Sequence, residues 1–143
     1  MIEIRRSALV RYSPAQMFDL VNDVEAYPRR FSWCSAAEVL SREPSALTAR
    51  LELNIGGMRQ QFSTRNTLDP PQRIAMALVE GPFRRLAGAW EFLALGADGT
   101  KIMLALDFDY AGTLMAPVMR LGFQKLADRM VDEFCREAEK SYG

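Results

Sequence analysis

The sequence contains no histidine. That absence removes Ser-His-Asp and Cys-His nucleophile systems, histidine-ligated zinc or haem, and any histidine acid–base pair working near neutral pH. Cysteine is almost as scarce. Cys34 and Cys135 have no ligand-like spacing, and two thiols cannot complete a metal site, so no metal is expected. They read as small buried hydrophobes, with one disulfide between them as the alternative. Neither sign of charge is in excess, since 18 Lys and Arg balance 18 Asp and Glu. Binding DNA without regard to sequence needs a surplus of positive charge, so DNA is not an expected partner; a local basic patch remains open. No apolar run approaches the ~18–20 residues of a membrane-crossing helix. The opening residues MIEIRR place charges where a secretory leader would carry its apolar core, which makes the cytoplasm the expected location.

What is present is an ordinary globular composition. The 143 residues are 49% hydrophobic and 25% charged, enough for one domain that buries roughly 68–70% of its unfolded surface. No repeat, low-complexity tract or linker divides the chain, so residues 1–143 are expected to form that single domain.

Residues 2–11 are rich in aliphatic positions and read as a strand. Ser13 is then an N-cap, Pro14 suits the first helical position, and Met17, Phe18, Leu20 and Val21 give a short amphipathic helix. Val24 to Tyr27 add one more turn, which Pro28 is expected to stop. From about Ser35 to Tyr110 the apolar period becomes two. Leu47, Ala49, Leu51, Leu53 and Ile55 alternate with polar residues, Gly56 and Gly57 turn the chain, and 59–68 return as the next strand. Further strands follow at 74–79, at Leu86 to Phe92 and at Ile102 to Phe108, with Asp98 and Gly99 as a tight turn before the last. Short connections between alternating strands specify an antiparallel meander with one buried face. From about Leu114 to Tyr142 the apolar spacing of three to five residues predicts an amphipathic helix ~40 Å long. Pro117 must then lie in its first turn, and Gly122 marks a close approach or a bend. A curved sheet of about six or seven strands has only this helix to cover it. The expected class is α+β, one sheet gripping one helix with a cavity between them.

Four blocks carry a resemblance. They are SALVRYSPAQMFDLVNDVEAYP from Ser7 to Pro28, FSTRN from Phe62 to Asn66, GPFRRLAGAWEF from Gly81 to Phe92, and LDFDY from Leu106 to Tyr110. In this order and spacing the chain resembles the ribosome association toxin (RatA) family and the related coenzyme Q-binding, START-like proteins of the polyketide cyclase/dehydrase superfamily. The resemblance implies a helix-grip fold whose cavity binds ubiquinone or a related polyprenyl lipid in support of respiration, with peripheral contact at the inner membrane. It also implies, for some relatives, association with the large ribosomal subunit that blocks subunit joining. The family-motif loop maps to Val24, Tyr27, Phe31, Trp33 and Cys34. Arg30, Phe31 and Ser32 depart from the family's usual Phe, Val or Leu, then Pro.

Phe62, Trp90, Phe92, Leu104, Leu106 and Phe108 fall on one face of their strands, facing Leu121, Leu126 and Met130 of the helix. Simple core packing and the lining of a ligand cavity use the same residue types, and both readings stand at this point. Arg84 and Arg85, with Arg29 and Arg30, are candidates for a docking patch at one end of the sheet, the alternative being solvated loop charge. Arg65 is expected to pair with Glu91 or Asp107. No spacing of Asp, Glu, Lys, Tyr or Cys joins a nucleophile to a base, so neither a catalytic residue nor a catalytic cofactor is assigned. A cyclase-like enzyme is the third reading, after quinone binding and ribosome association.

Overall fold

The computed structural model describes residues 1–97 and 99–143; the turn expected at Asp98 lies outside them. Seven strands form one antiparallel sheet: β1 (Ile2–Val10), β2 (Cys34–Glu43), β3 (Ala46–Ile55), β4 (Met58–Asp69), β5 (Arg73–Glu80), β6 (Phe83–Leu95) and β7 (Gly99–Tyr110). Their spatial order is β1-β7-β6-β5-β4-β3-β2, so β2 to β7 run as a meander and β1 closes onto β7. Between β1 and β2 lie α1 (Pro14–Asn22), a 3-10 turn at Val24–Ala26 and α2 (Tyr27–Arg30). The long helix α3 (Pro117–Tyr142) completes the chain.

Local chemistry accounts for most of these boundaries. Ser13 caps α1 by accepting from the Gln16 backbone N–H at 3.1 Å, while the Gln16 side chain accepts from the Ser13 N–H at 2.9 Å. Such a capping box satisfies two amides that the first turn leaves open. Pro117 takes its place at the start of α3, where its missing N–H costs nothing. Pro28 does not stop the helical segment after Val24 as expected; it lies in the first turn of α2. A proline there continues the chain for the same reason that Pro117 does.

Two glycines fix how closely neighbouring elements approach. A Cβ on Gly122 would stand 2.3 Å from Ile55 Cγ2, so α3 rests directly on the end of β3. On Gly88 a Cβ would stand 2.1 Å from the Ala105 carbonyl oxygen, a backbone atom of β7. Gly122 therefore marks a close approach.

One apolar core runs between sheet and helix, built on Leu47, Ile74, Trp90, Ile102 and Phe108 from the strands. The helix supplies Met119, Phe123, Leu126, Val131 and Phe134. Leu121 is not among them: it is 56% exposed, as Leu114 and Val118 also are in large part. Leu121 and Phe123 differ by two residues, about 200° around a helix, so they face opposite sides. Both cysteines are free thiols.

Candidate functional site

The helix does not lie evenly on the sheet. It runs closest to β1 and β7, and Arg6 of β1 holds Asp128 of α3 at 2.6 Å. The sheet curves away beneath its middle, leaving a cavity of about 110 Å³. Two aromatic clusters bound the cavity along the helix axis. At one end Phe123 meets Phe83 and Phe108, each at 5.0 Å, and Phe62 at 6.2 Å. At the other, Phe134 meets Phe31 at 4.9 Å, Trp90 at 5.3 Å and Tyr27 at 5.5 Å. Phe123 and Phe134 are eleven residues apart, about 16 Å of helix. Leu126, Ala127 and Met130 form the roof between them, and the small Ala127 leaves the space open.

Six of the nine expected cavity residues line this space: Phe62, Trp90, Leu104, Leu106, Leu126 and Met130. Three do not. Phe92 packs on Phe18 of α1 at 5.9 Å, beyond the cavity. Phe108 is fully buried in the first aromatic cluster, and Leu121 faces solvent. Phe108 and Phe92 share the inward parity of their strands but sit at the levels that the aromatic clusters and α1 close. Strand alternation predicts a face and says nothing about the level along it.

The loop from Val24 to Cys34 closes the far end. Phe31 and Trp33 stack at 4.8 Å, and Val24, Tyr27 and Trp33 reach the cavity wall. The Tyr27 hydroxyl donates to the Val21 carbonyl, and burial raises its pKa well above the ordinary tyrosine range, so it stays protonated. Burial, with the Glu52 charge nearby, also pushes the Cys34 thiol up to about 11, leaving it protonated and unreactive at neutral pH.

Two polar side chains stand on the cavity floor. On β4, Phe62, Thr64 and Asn66 share one face by strict alternation. Thr64 is 9% and Asn66 8% exposed. The Thr64 hydroxyl donates to Asn66 Oδ1 at 2.8 Å, which among the described residues is the hydrogen bond found for the Asn66 side chain. Its cross-strand neighbours on the same face are Leu47 and Met76, which offer it nothing. Asn66 is not among the expected cavity residues, although its parity with Phe62 in the sequence puts a polar residue at a core position.

The arginines divide into unlike pairs. Arg30 is a structural group, donating to Glu137 Oε1 at 3.0 Å and to Ser141 Oγ at 2.8 Å of α3. Glu137 is buried, and its charge needs that partner. Arg29, Arg84 and Arg85 are exposed, with Arg84 3.6 Å from Asp109. Phe83 packs on Phe123 whereas Arg30 reaches Glu137, fourteen residues further along α3. The two pairs therefore lie about 21 Å apart along the helix and form no common patch. Arg65 pairs with Glu43 at 2.8 and 3.1 Å, not with Glu91 or Asp107, because β4 and β2 flank β3 and their outer faces meet across it.

Among the described residues no helix is long and apolar enough to cross a membrane. The model of the polyketide cyclase / dehydrase and lipid transport family matches residues 10–135. The ribosome association toxin RatA of Pseudomonas aeruginosa is 46% identical over 140 residues, covering 98% of this chain and 97% of that protein. The mitochondrial coenzyme Q-binding protein COQ10 homolog B of Xenopus laevis is 25% identical, covering 99% of this chain and 60% of its own length. Among solved structures, the Zhui aromatase/cyclase from Streptomyces sp. R1128 superposes with a TM-score of 0.87 at 20% identity, covering 99% and 96% of the two chains. That likeness speaks for the fold alone. With the sheet, the gripped helix and the match all in agreement, this chain belongs to the START-like polyketide cyclase / dehydrase and lipid transport family and has ribosome association toxins among its relatives.

Proposed function

We propose that this chain is a binding protein that holds a hydrophobic ligand, ubiquinone or a related polyprenyl lipid, between its sheet and α3. In this reading it serves respiration as a carrier or chaperone, works in the cytoplasm with peripheral contact at the inner membrane, and uses no catalytic cofactor. The supporting observation is the cavity wall: apolar almost throughout, with no Asp, Glu, Lys or Arg among its described residues. Tyr27 is committed to Val21 and raised by burial, so the wall offers no group that exchanges protons near neutral pH. At about 110 Å³ the space is smaller than the roughly 300–1,000 Å³ of typical ligand sites. An occupant must widen it, and the unbranched side chains of Met76 and Met130 are the parts of the wall best able to move.

Native mass spectrometry of the purified protein, followed by solvent extraction, tests this reading; a co-purifying polyprenyl quinone is the expected result. Leu106→Trp sharpens the test, since Leu106 lines the cavity on β7. The indole should fill the space, so the variant loses the ligand while its urea midpoint stays within error of the parent. If the region is instead closed core, overpacking costs about 1–3 kcal/mol and lowers the midpoint. A lowered midpoint with no ligand in the parent protein removes the lipid reading.

A second reading has its own support. The 46% identity with a protein named for ribosome association extends over nearly both chains, which favours binding to the large (50S) ribosomal subunit and a block on subunit joining. Arg84 and Arg85, exposed at the start of β6, are the residues to change. Changing both to Glu should cut co-sedimentation with large subunits several-fold, and wild-type binding should weaken as salt rises. Binding that ignores both the charge reversal and the salt would remove this patch as the docking site. A polyketide cyclase/dehydrase-like enzyme comes third, because it rests on likeness of fold.

A further inference from the structure

We infer that Thr64 and Asn66 form the polar anchor of the cavity, and that they select a neutral ligand carrying a carbonyl oxygen on an otherwise apolar body. This rests on the cavity being a ligand site, and it names the chemistry of the occupant. Asparagine is a poor strand residue, and the inner face of a sheet is the costliest place to put one. Asn66 nevertheless stands there, 8% exposed, between Leu47 and Met76 on the neighbouring strands. Its amide carries two N–H donors and one acceptor oxygen. The Thr64 hydroxyl donates to that oxygen at 2.8 Å, which holds the amide in place and turns its nitrogen away from Thr64. Were the amide turned over, one N–H would bond Thr64 and the other would still lack a partner. In either orientation a donor on the cavity floor is left for an occupant.

That donor fits an acceptor oxygen. A hydrocarbon would leave it unpaired. A carboxylate would bring a full charge into a wall without a cation, and its desolvation would go uncompensated. A ketone, quinone or ester oxygen meets the amide without either penalty. Thr64 acts as a positioning residue, since its bond fixes the amide that makes the contact.

The test compares three probes of one chain length: 2-nonanone, nonane and nonanoate at pH 7.5. Affinities are read by displacement of a fluorescent apolar dye from the full chain. Wild type should bind the ketone and the alkane and reject nonanoate. Asn66→Leu keeps the side-chain size and removes the donors, so the ketone-to-alkane affinity ratio should fall about tenfold. Thr64→Val should lower the same ratio less, because it frees the amide without removing it. The ratio is taken within each variant, so a change in stability cancels. An unchanged ratio in Asn66→Leu overturns the anchor while leaving the cavity as a ligand site, and so does tight nonanoate binding by wild type. If neither nonane nor 2-nonanone displaces the dye from wild type, the ligand-site reading itself falls, and the anchor with it.

Discussion

Ending the chain at Ala116 should abolish cooperative folding. The missing α3 carries Met119, Phe123, Leu126, Val131 and Phe134 into the core. At about 1.5–3 kcal/mol for each large side chain buried, these five contribute on the order of 10 kcal/mol, comparable with the ~5–15 kcal/mol total stability of a domain. The loss is larger still in practice, because the sheet face under the helix, with Ile102, Leu104 and Trp90, would meet water. Urea unfolding followed by tryptophan fluorescence should show a broad, non-cooperative change and strong dye binding. A truncated protein that stays soluble and unfolds with a sharp transition would overturn the helix as the cover of this sheet.

Gly88→Ala is the second large expected effect, from a single methyl group. Gly88 of β6 pairs with Leu106 of β7, and the added Cβ would stand 2.1 Å from the Ala105 carbonyl oxygen and 2.9 Å from the Leu106 Cα. Both are backbone atoms at the centre of the sheet, so no side chain can rotate out of the way. The β6–β7 ladder must open locally, at about 3 kcal/mol or more. For a domain of this size that lowers Tm by roughly 10 °C. The control is Gly57→Ala, where no heavy atom lies within 4 Å of the new Cβ and only backbone strain at φ +84° opposes the change. Scanning calorimetry of the two variants gives the comparison, and a Gly88→Ala protein as stable as the parent would contradict the approach of the strands.

The parts of the fold that could be read in advance are those where one periodicity acts alone. The alternation of Leu47 to Ile55 and of Ile102 to Phe108 gave the buried faces of β3 and β7, and Ser13-Pro14 gave the start of α1. Strand β2 was hidden within the broad region from Ser35 because it is an edge strand, mostly exposed, with little alternation to detect. The face of α3 at Leu121 is ambiguous in the sequence for a different reason. Val118 and Leu121 form a second apolar stripe at the helix start, and hydrophobicity alone does not choose between two stripes. Gly122 does choose, because it lies against Ile55 and so marks the side that touches the sheet. Asn66 is hard to read because a polar residue in a strand ordinarily faces water, whereas parity with Phe62 puts it inside. The role of Arg30 needed the fold, since its partner Glu137 is 107 residues away.

The two ends of α3 are fastened by different means: Gly122 lies flush against Ile55, and Glu137 is tied to Arg30. Mechanically the helix is a beam fixed near both ends and held along one edge by the Arg6–Asp128 pair, with its other edge above the cavity. A beam of that kind does not swing aside like a hinged door. Traffic in and out must then pass along the edge of the helix away from β1, where Leu51, Phe62, Met76 and Met130 are the half-exposed members of the wall. The passage is then as wide as those four side chains allow, and exchange rates follow rotamer changes there while both fastenings stay in place.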